Sequence, residues 1–158
     1  MKINLFVHPL VEVIVLKSLI LGIYLFCLFV FTCTESLSLL LSDYEIVFRF
    51  NPVPDGLSFF HNDLVNVSDP TYLSQKLGHF LSFFFLAYLV YWAWKSVGLV
   101  MMVSLATALS TEVAQLHFSR SGRLLDVGFD LAGMLMFLVL YSIYCVAKNS
   151  YKVFLLQR

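Results

Sequence analysis

Residues 76–118 read KLGHFLSFFFLAYLVYWAWKSVGLVMMVSLATALSTEVAQLHF, which is two long apolar runs separated by Lys95 and Ser96. A transmembrane helix needs about 20 predominantly apolar residues, and each run is close to that length. Tyr91, Trp92 and Trp94 end the first run, and such aromatic residues are typical of a membrane interface. Because the connection is short, the two runs are predicted to form antiparallel neighbouring helices in a membrane.

Two further apolar runs, at about residues 9–32 and 124–147, complete the predicted fold. With helices at about 70–94 and 97–118, they predict an all-α bundle of four transmembrane helices, built as a single membrane domain over residues 1–158. Only 13% of the residues are charged, whereas soluble domains average about 25%. Pro9 is predicted at the first position of the first helix, and Asp69 is predicted to cap the second helix before Pro70.

A long polar stretch, residues 34–69, connects the first two helices. Its turn signals are Asn51-Pro52, Pro54-Asp55-Gly56 and Asp69-Pro70. Leu57-Ser58-Phe59-Phe60 is interpreted as a turn that lies on the membrane surface. The first helix is interpreted as an uncleaved anchor rather than a signal peptide, because Phe31-Thr32 lacks the small residues of a cleavage site.

Basic residues indicate how the chain is oriented in the membrane, since cytoplasmic segments carry an excess of lysine and arginine. Four spans place both termini on one side, and that side receives six basic residues: Lys2, Lys17, Lys95, Lys148, Lys152 and Arg158. We therefore expect a multi-pass protein of the cell membrane with both termini in the cytoplasm and residues 34–69 outside. The formal net charge is zero and no basic block is present, so nothing points to nucleic acid.

Ionisable residues recur near the predicted outer ends of three helices. They form three pairs at helical spacing, Lys76 with His79, Glu112 with Gln115, and Asp126 with Asp130, and Arg120 lies beside them in the connection. Helices rise about 1.5 Å per residue, so all three pairs lie within one or two turns of the same interface. Charged groups at membrane depth are rare and are a functional-site hypothesis by default. Gly133 continues the stripe of Asp126 and Asp130 and lets another helix approach closely.

These residue types leave several chemistries open. Glu112, Asp126 and Asp130 with His79 could bind a divalent cation, which is therefore a candidate cofactor. Lys76 and Arg120 could bind a phosphate or carboxylate headgroup. His79 could act as a general acid or base. The plainest alternative is a structural network that pairs Lys76 with Glu112 and Arg120 with Asp126, with Arg123 at the interface.

The order and spacing of these motifs, from residue 75 to about residue 144, resemble those of the VanZ-like membrane proteins. The pattern is Lys76-x-x-His79, then Glu112-x-x-Gln115, then Arg120 followed by Asp126, Asp130 and Gly133. The resemblance implies a role in the cell envelope related to glycopeptide (teicoplanin) resistance, with no settled biochemical activity.

Three functional hypotheses follow. The first is an outward-facing polar pocket that binds a lipid headgroup or lipid-linked cell-wall precursor through Lys76, His79, Glu112, Gln115, Arg120, Asp126 and Asp130. The second is a metal-assisted hydrolase or transferase at the membrane surface. The third is a structural or partner-binding membrane protein. No Gly-x-Ser-x-Gly elbow is present, so the sequence carries no such signature of nucleophilic catalysis.

Overall fold

The computed structural model describes residues 4–118 and 120–156, and these fold as an all-α protein. The helices, in chain order, are α1 (Asn4–Cys33), α2 (Leu37–Ser42), α3 (Pro70–Trp94), α4 (Val97–His117) and α5 (Leu124–Leu156). Within these described residues, four segments are long and apolar enough to cross a membrane: Val11–Cys33, Pro70–Trp94, Val97–His117 and Leu124–Val153. The predicted bundle of four transmembrane helices is therefore confirmed.

Both ends of α3 have the local structure that their residues favour. Asp69 caps α3, because its Oδ1 accepts a hydrogen bond from the Thr71 amide at 2.8 Å, and Pro70 opens the helix. At the other end Lys95 adopts a left-handed conformation with φ of 54°, and its amide donates to the Tyr91 carbonyl. Ser96 then caps α4 at the Leu99 amide, so the chain reverses within two residues.

The helix ends differ from the sequence prediction in two places. The first helix begins at Asn4, so the prediction that Pro9 occupies its first helical position was wrong. The last helix continues to Leu156, nine residues beyond the predicted end. Lys148 and Lys152 are exposed, and solvated lysines do not interrupt a helix that has left the apolar layer. Three residues used in the predictions of orientation and of the last turn lie outside the described residues: Lys2, Ser119 and Arg158.

The third helix makes the most extensive contacts in the bundle, and it packs against α1, α4 and above all α5. Its inward face supplies Phe83, Leu86, Ala87 and Val90, all essentially inaccessible. The first helix is more peripheral, and Leu21, Leu28 and Cys33 are the buried apolar residues of the part whose burial is described, residues 11–33. At the end away from residues 34–69, Lys17 Nζ donates to the Trp92 carbonyl at 3.2 Å, near the carboxyl end of α3, where the helix dipole favours a cation.

The segment between α1 and α3 folds over one end of the bundle. The Glu35 amide donates to the Val47 carbonyl at 2.8 Å, and the Asn51 amide donates to the carbonyl of His117 at 2.7 Å. Residues 57–60, predicted as a surface turn, belong to a 3₁₀ helix (Gly56–Phe60) that Asp55 caps through the Leu57 amide. A second 3₁₀ helix, Leu64–Ser68, leads into α3. We call this end of the bundle the polar end.

Close contact between α3 and α5 depends on Gly133. A Cβ atom at this position would clash with the Phe80 carbonyl oxygen and lie 3.0 Å from the Phe84 amide nitrogen. Both are backbone atoms, so neither can move aside without separating the helices. A glycine here lets two backbones approach, as in other membrane helix interfaces.

Replacing Gly133 by alanine is therefore expected to destabilise the bundle by about 1 to 3 kcal/mol, the usual range for overpacking. The measurement is the free energy of unfolding of the purified protein in detergent micelles. Gly128→Ala is the matched control, because the same helix has open space around that position. Equal stability of the two variants would show that α3 and α5 do not meet at Gly133.

Candidate functional site

The polar residues that the sequence singled out meet inside the polar end. Lys76, Glu112, Gln115, Asp126 and Asp130 are buried, and His79 is partly buried. They come from α3, α4 and α5, and each lies within a few turns of the helix end at this side of the bundle. The helical spacing thus brings three pairs from three helices together, as their shared depth indicated.

Lys76 lies between two carboxylates. Its Nζ contacts Asp126 Oδ1 and lies 3.2 Å from Asp63 Oδ2, and the Tyr72 ring centroid is 4.5 Å away. Lys76 is only 5% exposed, so the pair of carboxylates compensates a charge that has lost nearly all its hydration. The pairing of Lys76 with Glu112, one of the sequence alternatives, is not what the structure has.

Asp63 is a member of this site that the sequence analysis missed. It lies just before the second 3₁₀ helix and is 3% exposed, although neighbouring residues of the same segment are exposed. Its carboxylate contacts Lys76 and Arg123, and the Tyr72 hydroxyl donates to it at 3.3 Å. No local motif marks this residue, because its partners are distant in sequence and meet it only in the folded bundle.

Glu112 is fully buried and is held by two donors. Gln115 Nε2 donates to Glu112 Oε1 at 2.8 Å, so the predicted Glu-x-x-Gln pair is one hydrogen-bonded unit on α4. The Arg123 amide donates to Glu112 Oε2, also at 2.8 Å, which ties the start of α5 to α4. This contact needs Gly122, because a Cβ atom there would clash with the Glu112 carbonyl oxygen.

His79 joins the two fully buried carboxylates. Its Nδ1 lies 2.9 Å from Asp130 Oδ1 and 3.7 Å from Glu112 Oε1. One nitrogen or oxygen from each of His79, Glu112 and Asp130 falls within 4.8 Å of the others. Asp126 does not belong to this group, because its carboxylate faces Lys76.

The two arginines of the α4–α5 connection have different partners from those the sequence suggested. Arg120 Nη1 donates to the carbonyl oxygens of Thr34 and Glu35, at 2.9 and 3.4 Å, directly after the end of α1. The alternative that pairs Arg120 with Asp126 is therefore not what the structure has. Arg123 was assigned to the interface, but its guanidinium contacts buried Asp63. Backbone direction in the turn decides which arginine points inward, and residue spacing does not reveal it.

These contacts link the side chains into one polar network. Its members, in chain order, are Asp63, Lys76, His79, Glu112, Gln115, Arg123, Asp126 and Asp130.

A cavity of about 320 Å³ opens beside this network, between the first 3₁₀ helix and the α4–α5 connection. Its lining residues are Asp55, Leu57, Ser58, His61, Ser121 and Arg123. Arg123 is thus both a lining residue of the cavity and a member of the network. The Arg123 side chain is 24% exposed, and its guanidinium contacts Asp63.

Comparison with known proteins agrees with the motif pattern. The family model described as VanZ/LLP1 matches residues 18–145. The chain belongs to the VanZ/LLP1 family. It is 36% identical over 137 residues to the uncharacterized membrane protein YwnJ of Bacillus subtilis (strain 168), a match that covers 85% of this chain and 94% of that protein. No solved structure matches.

The VanZ/LLP1 match contains the whole polar network. It extends from within α1 to within α5, and Asp63, which no motif indicated, also falls inside it. All residues of the network therefore lie within the matched range, whereas the last residues of α5 lie beyond it.

Proposed function

We propose that this VanZ/LLP1 membrane protein binds the anionic headgroup of a lipid or lipid-linked cell-wall precursor at its polar end. The observation that carries the proposal is the position of Arg123 in the lining of the 320 Å³ cavity. An arginine at such a site can bind phosphate oxygens through two parallel hydrogen bonds. Its contact with Asp63 fixes the guanidinium in place before a ligand arrives.

The other lining residues suit a phosphate. Ser121 and His61 carry side-chain groups that can donate hydrogen bonds to its oxygens, whereas the Ser58 hydroxyl donates to the Asp55 carbonyl at 2.6 Å. Asp55 is the one acidic lining residue, and its Oδ1 accepts the Leu57 amide hydrogen bond that caps the first 3₁₀ helix. Leu57 is 83% exposed, so an apolar surface adjoins the cavity, as a lipid chain would require.

The role of the sequence-predicted residues changes in this proposal. Lys76 was expected to bind the anionic group directly, but two carboxylates already compensate its charge. In the proposal, the other buried residues of the network hold Arg123 and Asp63 in position. They are Lys76, Glu112, Gln115, Asp126 and Asp130. Binding at the outer leaflet would give the protein access to envelope precursors, which is the basis for a glycopeptide-resistance-like role.

The proposed orientation places both termini in the cytoplasm of a cell-membrane protein. Four basic residues of the described part of the chain lie towards the end opposite the polar end: Lys17, Lys95, Lys148 and Lys152. This accords with the excess of basic residues expected on the cytoplasmic side. The cavity would then face outward, where lipid-linked cell-wall intermediates are displayed.

The test uses farnesyl diphosphate as the probe, with the full-length protein purified in detergent and calorimetric titration. Hydrogen bonds to charged groups contribute about 1.5 to 3 kcal/mol, so the diphosphate should bind at least about tenfold more tightly than farnesol. Equal affinity for the alcohol would contradict headgroup recognition. Inorganic pyrophosphate bound as tightly as farnesyl diphosphate would show that a free phosphate, not a lipid, is the ligand.

A metal-assisted hydrolase or transferase is the second candidate function. The grouping of His79, Glu112 and Asp130 favours it, because a nitrogen and carboxylate oxygens from three helices converge within 4.8 Å. Release of phosphate or pyrophosphate from a prenyl diphosphate during the same titrations would support this role over simple binding.

A further inference from the structure

Three side chains converge deep in the polar end, away from the lining of the cavity. His79 on α3, Glu112 on α4 and Asp130 on α5 each offer a ligand atom, all within 4.8 Å of one another. Ligand atoms around a tetrahedral metal with bonds of about 2.1 Å are about 3.4 Å apart. The distances of 2.9 and 3.7 Å from His79 Nδ1 to the two carboxylates lie on either side of that value.

One atom of this group is without a protein partner. Asp130 is fully buried, its Oδ1 is within hydrogen-bonding distance of His79, and its Oδ2 has no hydrogen-bond partner among the described residues. An unsatisfied carboxylate oxygen in the interior costs free energy comparable to its lost hydration. An unpartnered oxygen on a carboxylate that also contacts a histidine, in a group that contains a second carboxylate, points to a cation as its partner.

The charges of the polar network point the same way. Its four carboxylates are Asp63, Glu112, Asp126 and Asp130, and its two permanently charged bases are Lys76 and Arg123. The carboxylates of the network therefore outnumber its permanent cations, and buried charges are normally paired or bound to metal.

We propose that His79, Glu112 and Asp130 bind one divalent transition-metal cation, Zn²⁺ or Mn²⁺. Imidazole nitrogen with carboxylate oxygen suits these ions better than Mg²⁺ or Ca²⁺, which prefer oxygen ligands alone. Gln115 and the Arg123 amide hold the Glu112 carboxylate in place, the role that outer hydrogen bonds have in metal sites. The proposal does not depend on headgroup binding, because the Arg123 guanidinium is not a ligand.

The test measures metal bound to the full-length protein after treatment with a chelator and equilibrium dialysis against Zn²⁺ or Mn²⁺ alone. We expect one ion per chain, and at least about tenfold weaker binding in Asp130→Asn and in His79→Ala. Glu35→Gln is the control, because Glu35 is an acidic residue at the same end that pairs with Arg49. Absence of stoichiometric metal, or equal binding in Asp130→Asn, overturns the proposal.

A second measurement needs only the unaltered protein, in case the variants do not fold. The X-ray absorption spectrum of the zinc-loaded protein should contain a shell of nitrogen and oxygen neighbours with an imidazole signature. Sulfur neighbours would assign the ion to cysteine and overturn the proposal. Because the probes are separate, a protein that binds farnesyl diphosphate without metal contradicts only this proposal, and one that binds metal without farnesyl diphosphate contradicts only headgroup binding.

Discussion

Replacing Lys76 by methionine is expected to destabilise the protein by about 3 to 5 kcal/mol, the range for removing one partner of a buried ion pair. Methionine fills a similar volume but leaves Asp126 buried without the ammonium group that it contacts. Asp63 is affected less, because Arg123 also contacts it. The free energy of unfolding in detergent micelles measures the effect.

The double variant Lys76→Met with Asp126→Leu distinguishes two causes of instability. One is the loss of the ion pair, and the other is the cost of leaving the Asp126 carboxylate buried without a partner. Replacing both partners of a buried pair by apolar residues is often neutral or stabilising, so the double variant should recover most of the lost stability. Lys148→Met is the matched control, since Lys148 is an exposed lysine on α5. If Lys76→Met were as stable as Lys148→Met, Lys76 would not be a buried partner of Asp126.

Much of the fold could be predicted because membrane helices depend on simple constraints. Apolar length set the number of spans, and Asp69-Pro70 and Lys95-Ser96 set the boundaries of α3 and α4 to within a residue. The end of α5 was predicted too early, because hydropathy reports where a helix leaves the apolar layer and not where the helix itself ends. Backbone hydrogen bonding continues past Lys148 to Leu156.

The depth of the site in the bundle and most of its residues could be predicted from the sequence. Which of these residues contact one another could not. Helical spacing places Lys76, Glu112 and Asp130 at one level, but it cannot say which long side chain reaches which carboxylate. Lys76 contacts Asp126 rather than Glu112 because α3 packs most extensively against α5. Gly133 is the residue in the sequence that indicates close packing of α5 against another helix. The pairing of Lys76 on α3 with Asp126 on α5 could have been inferred from that packing.

Residues outside the helices were the least predictable. Asp63 enters the network from the connection between α1 and α3, where no periodicity relates a residue to its partners. The choice between Arg120 and Arg123 depends on a turn of a few residues between α4 and α5. Arg120 donates to carbonyls at the end of α1, and Arg123 lines the cavity.

That difference between two nearby arginines gives a prediction of large effect. Arg123→Gln should weaken the binding of farnesyl diphosphate by about tenfold or more, because the guanidinium supplies charge-assisted hydrogen bonds that an amide cannot replace. Asp63 keeps Lys76 as a partner in this variant, so the bundle should remain folded. Arg120→Gln removes the same charge from the same connection without altering the cavity lining.

The most direct measurement is therefore the dissociation constant for farnesyl diphosphate of the unaltered protein, Arg123→Gln and Arg120→Gln, each checked for an intact melting transition. Headgroup binding through Arg123 predicts a large loss of affinity in Arg123→Gln and near-normal affinity in Arg120→Gln. Unchanged affinity in Arg123→Gln, or a larger loss in Arg120→Gln, would contradict it.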